Sequence, residues 1–498
     1  EQMINDAVSQ VIEELYDEND EAFRSLTAMF LNERDDKLLG NVIKSLYNYS
    51  RSYPSPELWL KNVSESFDEN KTPDETVWAD IIYKYIILLC DFHIQRINRC
   101  VTLMEEAGNF KEDYFKRFTG SADNLAALKI SAENKNWDAC VSIIRDGIVV
   151  KIPARNTKVD ENIKEISKEV FSELEKDVEG LIKRALPTTE EHKEDCKKLY
   201  PVVKKLCEAV SRLTLTLDSV KKENNTYAFD DILHKCIDLL VVFNGDKWSL
   251  TPLAEELRSK YKEILIDEYQ DTNEAQNMIF TALSDDCRNL YCVGDVKQSI
   301  YRFRLASPEL FMNLRRSLSD YDGTKKPSQI TLDKNFRSRE GIDEAVNFVF
   351  SKLMSEAVGE IDYNEREKLS FGADYYSSKD TPDTEIICID AQSQSSAEAV
   401  KTEAVAIADY IERVLKSRVT IKDGDSERAV RPSDFCVLLR STKNKIDVYT
   451  DALKEKNIPS SAILDCDISK SKEIQLLISL IKVINNPLED IPLIAVLQ

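Results

Sequence analysis

From about residue 225 to residue 456, short apolar runs alternate with stretches of helical periodicity, and this alternation restricts the fold more than any other feature of the chain. Ile264–Ile266 precedes a helical pattern over Glu274–Leu283, Leu290–Val293 precedes one opening at Pro308, and Gln329–Leu332 precedes one from about Glu340 to Met354. A strand that returns to the same sheet through a helix does so as a right-handed crossover, so the repeated pattern predicts a parallel sheet. Phe371–Thr384, with its Gly, Ser, Asp and Pro, reads as a linker or loop. Beyond it, strands at Glu385–Asp390 and Phe435–Leu439 alternate with helices at Ala397–Lys416 and Lys445–Lys456, which predicts a second α/β lobe, opened here and cut off at residue 498.

Residues 2–219 read differently, as helix after helix. Val8, Val11, Ile12 and Leu15, then Leu38, Leu39, Val42, Ile43 and Leu46, repeat at the spacing of one helix face, with turn signals at Ser52–Pro56 and Thr72–Pro73. Only 12 Gly and 14 Pro occur in 498 residues, and Asp74–Ile152 contains no proline. The charges on the opposite faces suit either solvated helix surfaces or a basic functional face. At about 150 residues per domain, the length predicts two to four domains. A start at Glu1 and a stop inside the apolar run IPLIAVLQ are read as those of a piece of a longer protein.

A net charge of −22 argues against a general coat of nucleic-acid-binding charge and against anionic membrane surfaces, so any DNA site has to be a local basic groove. The longest uncharged apolar runs, such as Tyr85–Cys90, fall far short of the roughly 18 residues of a membrane span. Eleven irregularly spaced cysteines, without a CxxC, read as reduced core thiols of a cytoplasmic protein.

The chemistry gathers at the ends of the strands. Lys262–Ile266 leads into Asp267-Glu268-Tyr269-Gln270-Asp271, and in open parallel sheets ligands sit at the carboxyl ends of strands. Asp267 is placed there to hold a hard cation and Glu268 to orient and deprotonate a water; alternatively the two acids only end the strand and cap the helix that follows. The next strand turns through Gly294-Asp295 and brings Gln298 to the same edge, where an amide can sense a terminal phosphate. Tyr301, Arg302, Phe303 and Arg304 then interleave aromatic rings with cations, the composition that stacks bases and holds phosphates, unless the two rings are core. The third strand ends in Asn335-Phe336-Arg337, where an arginine can neutralise charge developing on a transferred phosphoryl group.

Taken together, DEYQDT at 267–272, VGDVKQSIYRFR at 293–304 and LDKNFRSR at 332–339 resemble motifs II, III and IV of superfamily 1 DNA helicases of the UvrD/RecB group. The wording is similar to the AddA (RexA) branch of helicase–nuclease subunits, with further support from SPELWLK at 55–61, FDDI at 229–232, the run 296–311, GEIDY at 359–363, GADY at 372–375 and LEDIPLIAVL at 488–497. The resemblance implies a P-loop NTPase fold: a large inserted all-helical subdomain at 1–219, most of a first RecA-like lobe at 220–376 and the start of a second at 377–498. It implies ATP and Mg²⁺ as cofactors, with Asp267 for the metal, Glu268 as hydrolytic base and Gln298 as the γ-phosphate contact linking ATP to DNA. Phe336, where many relatives have Tyr, would stack on adenine, and Arg337 would be an arginine finger. Tyr301 and Phe303, the latter where relatives often have Trp, would lie along single-stranded DNA, and an AddB-like subunit would be the partner in double-strand-break processing.

No glycine lies in a GxxxxGK[ST] loop, and motifs V and VI and the nuclease domain of the family are not found. The 498 residues alone are therefore expected to be inactive. A non-hydrolysing helicase-like DNA-binding scaffold is the rival reading, and a UvrD- or RecB-type helicase outside AddA the third.

Overall fold

The computed structural model describes residues 2–18, 20–30, 36–108, 112–151, 161–183, 186–245, 247–373, 375–376, 383–417, 419–424, 426–462 and 471–497. The chain divides into two compact units, Glu1–Ser377 and Ser378–Gln498.

Among the described residues the first unit opens with nine helices: α1 (Gln2–Glu18), α2 (Glu21–Phe30), α3 (Lys37–Ser50), α4 (Pro56–Glu65), α5 (Ala79–Ala107), α6 (Glu112–Glu133), α7 (Trp137–Asp146), α8 (Glu161–Lys183) and α9 (Thr189–Glu223). Their apolar faces build two cores. Val11, Leu15, Leu26, Leu39 and Ile43 meet Val210, Leu213 and Leu217 of α9 in one. Ile86, Ile97, Met104, Phe118, Leu125, Leu128 and Leu174 of α5, α6 and α8 fill the other. The helices begin where the sequence supplies caps. Ser55 accepts the amide of Leu58 ahead of Pro56, and Thr188 and Glu191 form a reciprocal capping box at the start of α9.

After α9 come α10 (Phe229–Leu240) and a hairpin of β1 (Val241–Phe243) with β2 (Trp248–Leu250), so the first ladder after the helical region is antiparallel. Next are α11 (Pro252–Lys260), β3 (Ile264–Ile266), α12 (Glu274–Leu283), β4 (Leu290–Cys292) and α13 (Pro308–Ser317). They are followed by β5 (Lys334–Asn335), α14 (Glu340–Leu353), α15 (Glu356–Gly359) and β6 (Ser370–Phe371). β3 pairs with β4 and β5 with β6, both in parallel, as crossovers require. Among the described residues these remain separate two-stranded sheets, where one continuous sheet was expected.

The third expected strand is also displaced. Gln329–Leu332 carries a single bridge, Asp320 to Gln329, and the ladder begins instead at Lys334. The cause is the lack of a partner: Ile330 and Leu332 are 63% and 82% exposed, and no described neighbour offers them a row of backbone donors and acceptors. The join between helical and strand-containing regions is buried and ionic. Asp231 of α10 accepts Arg51 at 3.0 Å and Lys221 at 2.9 Å, and the amide of Ala275 in α12 donates to the Ser52 carbonyl.

The second unit contains α16 (Ser396–Lys416), a hairpin of β7 (Thr420–Asp423) and β8 (Ser426–Ala429), α17 (Ile446–Glu455), α18 (Lys472–Asn485) and α19 (Asp490–Leu497). Ala404, Ala408 and Ile411 pack on Tyr449, Ala452 and Leu453. The strands expected at Glu385–Asp390 and Phe435–Leu439 carry no ladder, for the same reason: Ile386 and Leu438 are 88% exposed. Of the cysteines read as core thiols, Cys287, Cys388 and Cys436 are exposed, while Cys90, Cys100, Cys140, Cys196 and Cys207 are buried; Cys466 lies outside the described residues. No described helix is long and apolar enough to cross a membrane.

Candidate nucleotide and DNA site

β3 is a short apolar strand whose register against β4 sets Ile266 beside Cys292. The ladder continues past both ends, since Val293 donates to the Ile266 carbonyl at 2.8 Å and Tyr269 to the Val293 carbonyl at 2.9 Å. The two strands thus deliver Asp267-Glu268 and Gly294-Asp295 to one edge. Glu268 is in the left-handed region at φ 50°, a conformation costly for a residue with a β-carbon, and the chain then turns through one 3-10 turn at Tyr269–Asp271.

The two turns are locked by a residue that sequence reasoning passed over. Gln270 is 1% exposed; its amide nitrogen donates to Glu268 Oε2 at 2.6 Å and its carbonyl oxygen accepts the Asp295 amide at 3.0 Å. Gly294 allows this approach, because a β-carbon there would fall 2.4 Å from Gln270 Oε1, 3.1 Å from Phe311 and 3.2 Å from the Tyr269 nitrogen. Asp295 in turn accepts Gln298 Nε2 at 3.0 Å through Oδ2, and through Oδ1 both the Lys297 amide at 3.0 Å and its ammonium at 2.9 Å. Burial opposes ionisation of Asp295, but the hydrogen bonds from Gln298 and Lys297, with the Lys297 charge, hold its carboxyl below the ordinary range.

Asp267 and Glu268 are exposed at the end of the strand. One Asp267 oxygen accepts the Glu268 amide at 3.0 Å, which leaves the other without a hydrogen bond among the described residues. No described cluster of three or more metal-ligating side chains exists, so a closed all-protein cage is not formed here. A single open carboxylate oxygen does fit Mg²⁺, which keeps several waters and shares its shell with substrate phosphates.

Asp271 lies between this edge and the aromatic–cationic loop. Its carboxyl is pushed up by burial and by the Glu268 charge, against the pull of Arg304, and its Oδ1 is buried without a partner among the described residues. In the loop itself, the Tyr301 and Phe303 rings stand 5.8 Å apart, and Arg304 lies over both, at 4.7 and 5.6 Å from their centroids. Phe303 is 75% exposed, which removes the core reading for that ring, and Tyr301 is half-buried. Arg302 is paired with Glu309 at 2.7 Å and Glu360 at 2.5 Å, whereas Arg304 makes no ion pair among the described residues.

Phe336 and Arg337 sit at the end of β5, on the other parallel sheet. Asn335 organises the turn: its side-chain oxygen accepts the amides of Arg337 and Ser338, and its nitrogen donates to buried Asp343 at 2.7 Å. Phe336 is 60% exposed, one edge against Gly372, where a β-carbon would come within 2.9 Å of the ring. The Arg337 side chain is exposed, without a hydrogen bond or ion pair to Glu268 or Gln298 among the described residues. The structure therefore gathers Asp267, Glu268 and Gln298 on one edge and sets Phe336 and Arg337 on a second. Asp295 and Gln270 were legible only as part of the motif wording; Asn335, just before Phe336-Arg337, carried a signal in its Asx-turn chemistry.

Two parallel strand pairs carry acids and amides at their carboxyl ends, where open α/β sheets bind their ligands. The UvrD/REP helicase N-terminal domain family matches residues 90–319, and the UvrD-like helicase C-terminal domain family matches residues 330–498. The chain belongs to the UvrD-like helicases, and with them to the P-loop NTPase fold. It is similar to the ATP-dependent helicase/nuclease subunit (AddA) of Clostridium botulinum, at 31% identity over 98% of this chain and 42% of the relative. The proteins of the same name from Bacillus licheniformis and Clostridioides difficile are 31% and 30% identical, over 99% of this chain and 41% and 42% of their own lengths. The chain thus spans about two fifths, 42%, of the length of the curated relatives it matches.

Proposed function

We propose that this chain is the middle of an ATP-dependent DNA helicase/nuclease subunit of the AddA type, which moves along single-stranded DNA during double-strand-break processing with an AddB-like partner subunit. Residues 1–219 serve as the inserted helical subdomain, 220–376 as most of a first RecA-like lobe and 377–498 as the start of a second. The exposed apolar rows at Ile330, Leu332, Ile386 and Leu438 are the sheet faces covered by the remainder of the full-length protein.

The observation that carries the reading is the Glu268–Gln270–Asp295–Gln298 chain, which ties a carboxylate and an amide to the same strand edge. Gln270 holds one oxygen of Glu268, and the other accepts the proton of a water attacking the terminal phosphoryl group. Gln298 leaves Asp295 for that phosphate. Asp267 would hold Mg²⁺, which supplies charge neutralisation on the β- and γ-phosphates when bound. Phe336 offers its open face to adenine, and Arg337, unpaired among the described residues, neutralises charge on the transferred group. Phe303 and Arg304 contact successive bases and phosphates, so closure and opening of the lobes move the strand stepwise.

The test uses the full-length enzyme with its partner subunit. Glu268→Gln keeps the acceptor for Gln270 and loses the base, so nucleotide binding should remain within about twofold while DNA-stimulated turnover disappears. Arg337→Ala should lower turnover by roughly 10³- to 10⁵-fold. Equal loss of binding in both variants would leave these residues with a purely structural role, undiminished turnover in Glu268→Gln would remove Glu268 as the base, and absence of turnover in the unmutated full-length enzyme would leave the scaffold reading in its place.

A further inference from the structure

The signatures GEIDY and GADY lie at the two ends of a segment that no step above uses, residues 363–373 with 375–376. Its central acid, Glu367, has a side chain only 8% exposed, between two cations: Oε2 accepts Lys297 Nζ at 3.1 Å and Oε1 accepts Arg315 at 2.5 Å. Lys297 is also the partner of Asp295, and Asp295 holds Gln298. Glu367 is thus two ion pairs away from the phosphate-sensing amide.

Three residues on, the segment becomes β6 and runs beside β5. Ser370 donates to the Asp333 carbonyl and Gly372 to the Asn335 carbonyl, both at 2.9 Å. Beyond it, the Tyr375 hydroxyl donates to the Phe336 carbonyl and the Tyr376 hydroxyl to the Arg337 carbonyl, the latter at 2.8 Å. The start of the segment is fixed to α14, where Tyr363 and the Leu369 amide both donate to Asn347. One strap therefore touches the Gln298 loop at one end and the backbone of Phe336 and Arg337 at the other.

We propose that residues 363–373 with Tyr375 and Tyr376 couple the phosphate-sensing loop to the arginine-finger loop, with Glu367 as a positioning residue that acts on Arg337. The inference rests on the roles given to Gln298 and Arg337 under Proposed function. When Gln298 leaves Asp295 for a terminal phosphate, Asp295 keeps only Lys297, the ammonium shifts towards it, and Glu367 follows. β6 moves with Glu367 and re-aims Phe336 and Arg337. A buried ion-pair chain adds little net stability over an apolar core of the same shape, so a signalling role accounts for four charged groups here better than stability does.

The experiment is a double-mutant cycle on DNA-stimulated ATP turnover by the full-length enzyme with its partner subunit. Glu367→Gln should lower kcat by roughly 3- to 30-fold with KM for ATP within about twofold, and combined with Arg337→Ala it should add no further loss. Tyr376→Phe, at the half-buried end of the strap, removes only the hydroxyl bond to Arg337 and should show the same non-additivity with an unchanged melting temperature; it carries the test if Glu367→Gln does not fold. If Arg337→Ala lowers kcat and the strap variants multiply that loss, or raise KM as much as they lower kcat, the coupling is refuted and the finger stands. If Arg337→Ala leaves kcat unchanged, the finger assignment itself fails, and the coupling with it.

Discussion

Replacing Asp231 with Asn tests whether the helical region is tied to the strand-containing region by charge. Asp231 is 5% exposed; its Oδ1 accepts Arg51 and Lys221, whose side chains are each only 10% exposed, and its Oδ2 accepts the Ala228 amide that opens α10. Asparagine keeps an oxygen for the Ala228 amide and removes the anion, leaving two buried cations facing a neutral amide. Removal of one partner from a buried pair costs about 3–5 kcal/mol, and Asp231→Ala should cost about 1 kcal/mol more through the lost cap. The sign with pH follows from the carboxyl. Burial raises its pKa, but the Lys221 and Ala228 hydrogen bonds and the charges of Lys221 and Arg51 outweigh this and hold it below the ordinary value. A lowered folded pKa gives stability that is present above the unfolded carboxylate pKa of about 3.9 and is lost as pH falls through the folded value. Wild type and Asp231→Asn should therefore differ by the full amount at neutral pH and converge in acid, as measured by guanidinium unfolding followed by far-UV circular dichroism. A loss below about 1 kcal/mol, or a gap that persists in acid, would refute the assignment.

Phe303→Ala should weaken single-strand affinity by about 1–3 kcal/mol with little sequence preference, as read by fluorescence anisotropy. Arg304→Ala should reduce the salt slope of that binding by about one unit and Arg302→Ala by less, because Glu309 and Glu360 already neutralise Arg302. Gly294→Ala should destabilise by about 1–3 kcal/mol in thermal unfolding, since the new methyl meets the pinned Gln270 and the Tyr269 backbone. The 498-residue chain alone should release no phosphate from ATP above background, because its sequence offers no phosphate-cradling loop; DNA-stimulated release in a phosphate assay would contradict this.

What could be read in advance depended on whether the determinant was local. The spacing of Val8, Val11, Ile12 and Leu15 sets one face of α1 by periodicity alone, and the turn signal at Ser52–Pro56 ends where α4 starts behind its Ser55 cap. β3 and β4 were equally legible, being apolar runs bounded by acids and glycine. Gln329–Leu332 looked the same and carries no ladder, because a strand is defined by its partner and composition does not supply one. The site divides along the same line. The acids at 267–268 announce a strand end, but the burial of Gln270 and the pairing of Glu367 with Lys297 over 70 positions depend on tertiary approach. Nor could charge counting reveal that Arg302 is spent on local acids while Arg304 is not.

On the proposed function, that last distinction is how a chain of net charge −22 would hold DNA in one place. Elsewhere cations are spent on acids, as at Arg212 with Glu18 and Glu208, and the net negative charge offers a polyanion no long-range attraction. At the loop 301–304 the cation lies against two rings instead of a carboxylate, which on that reading leaves its charge to a phosphate and the exposed face of Phe303 to a base. Beside it, burial and the Glu268 charge push the Asp271 carboxyl above its ordinary range, against the pull of Arg304. On the proposed reading, nucleotide chemistry, which needs carboxylates, and DNA contact, which needs cations, lie a few residues apart on one loop system. Ionisation of Asp271 adds a negative charge beside Arg304, so single-strand affinity should fall as pH rises through its raised pKa, and Asp271→Asn should abolish this dependence in the same anisotropy measurement.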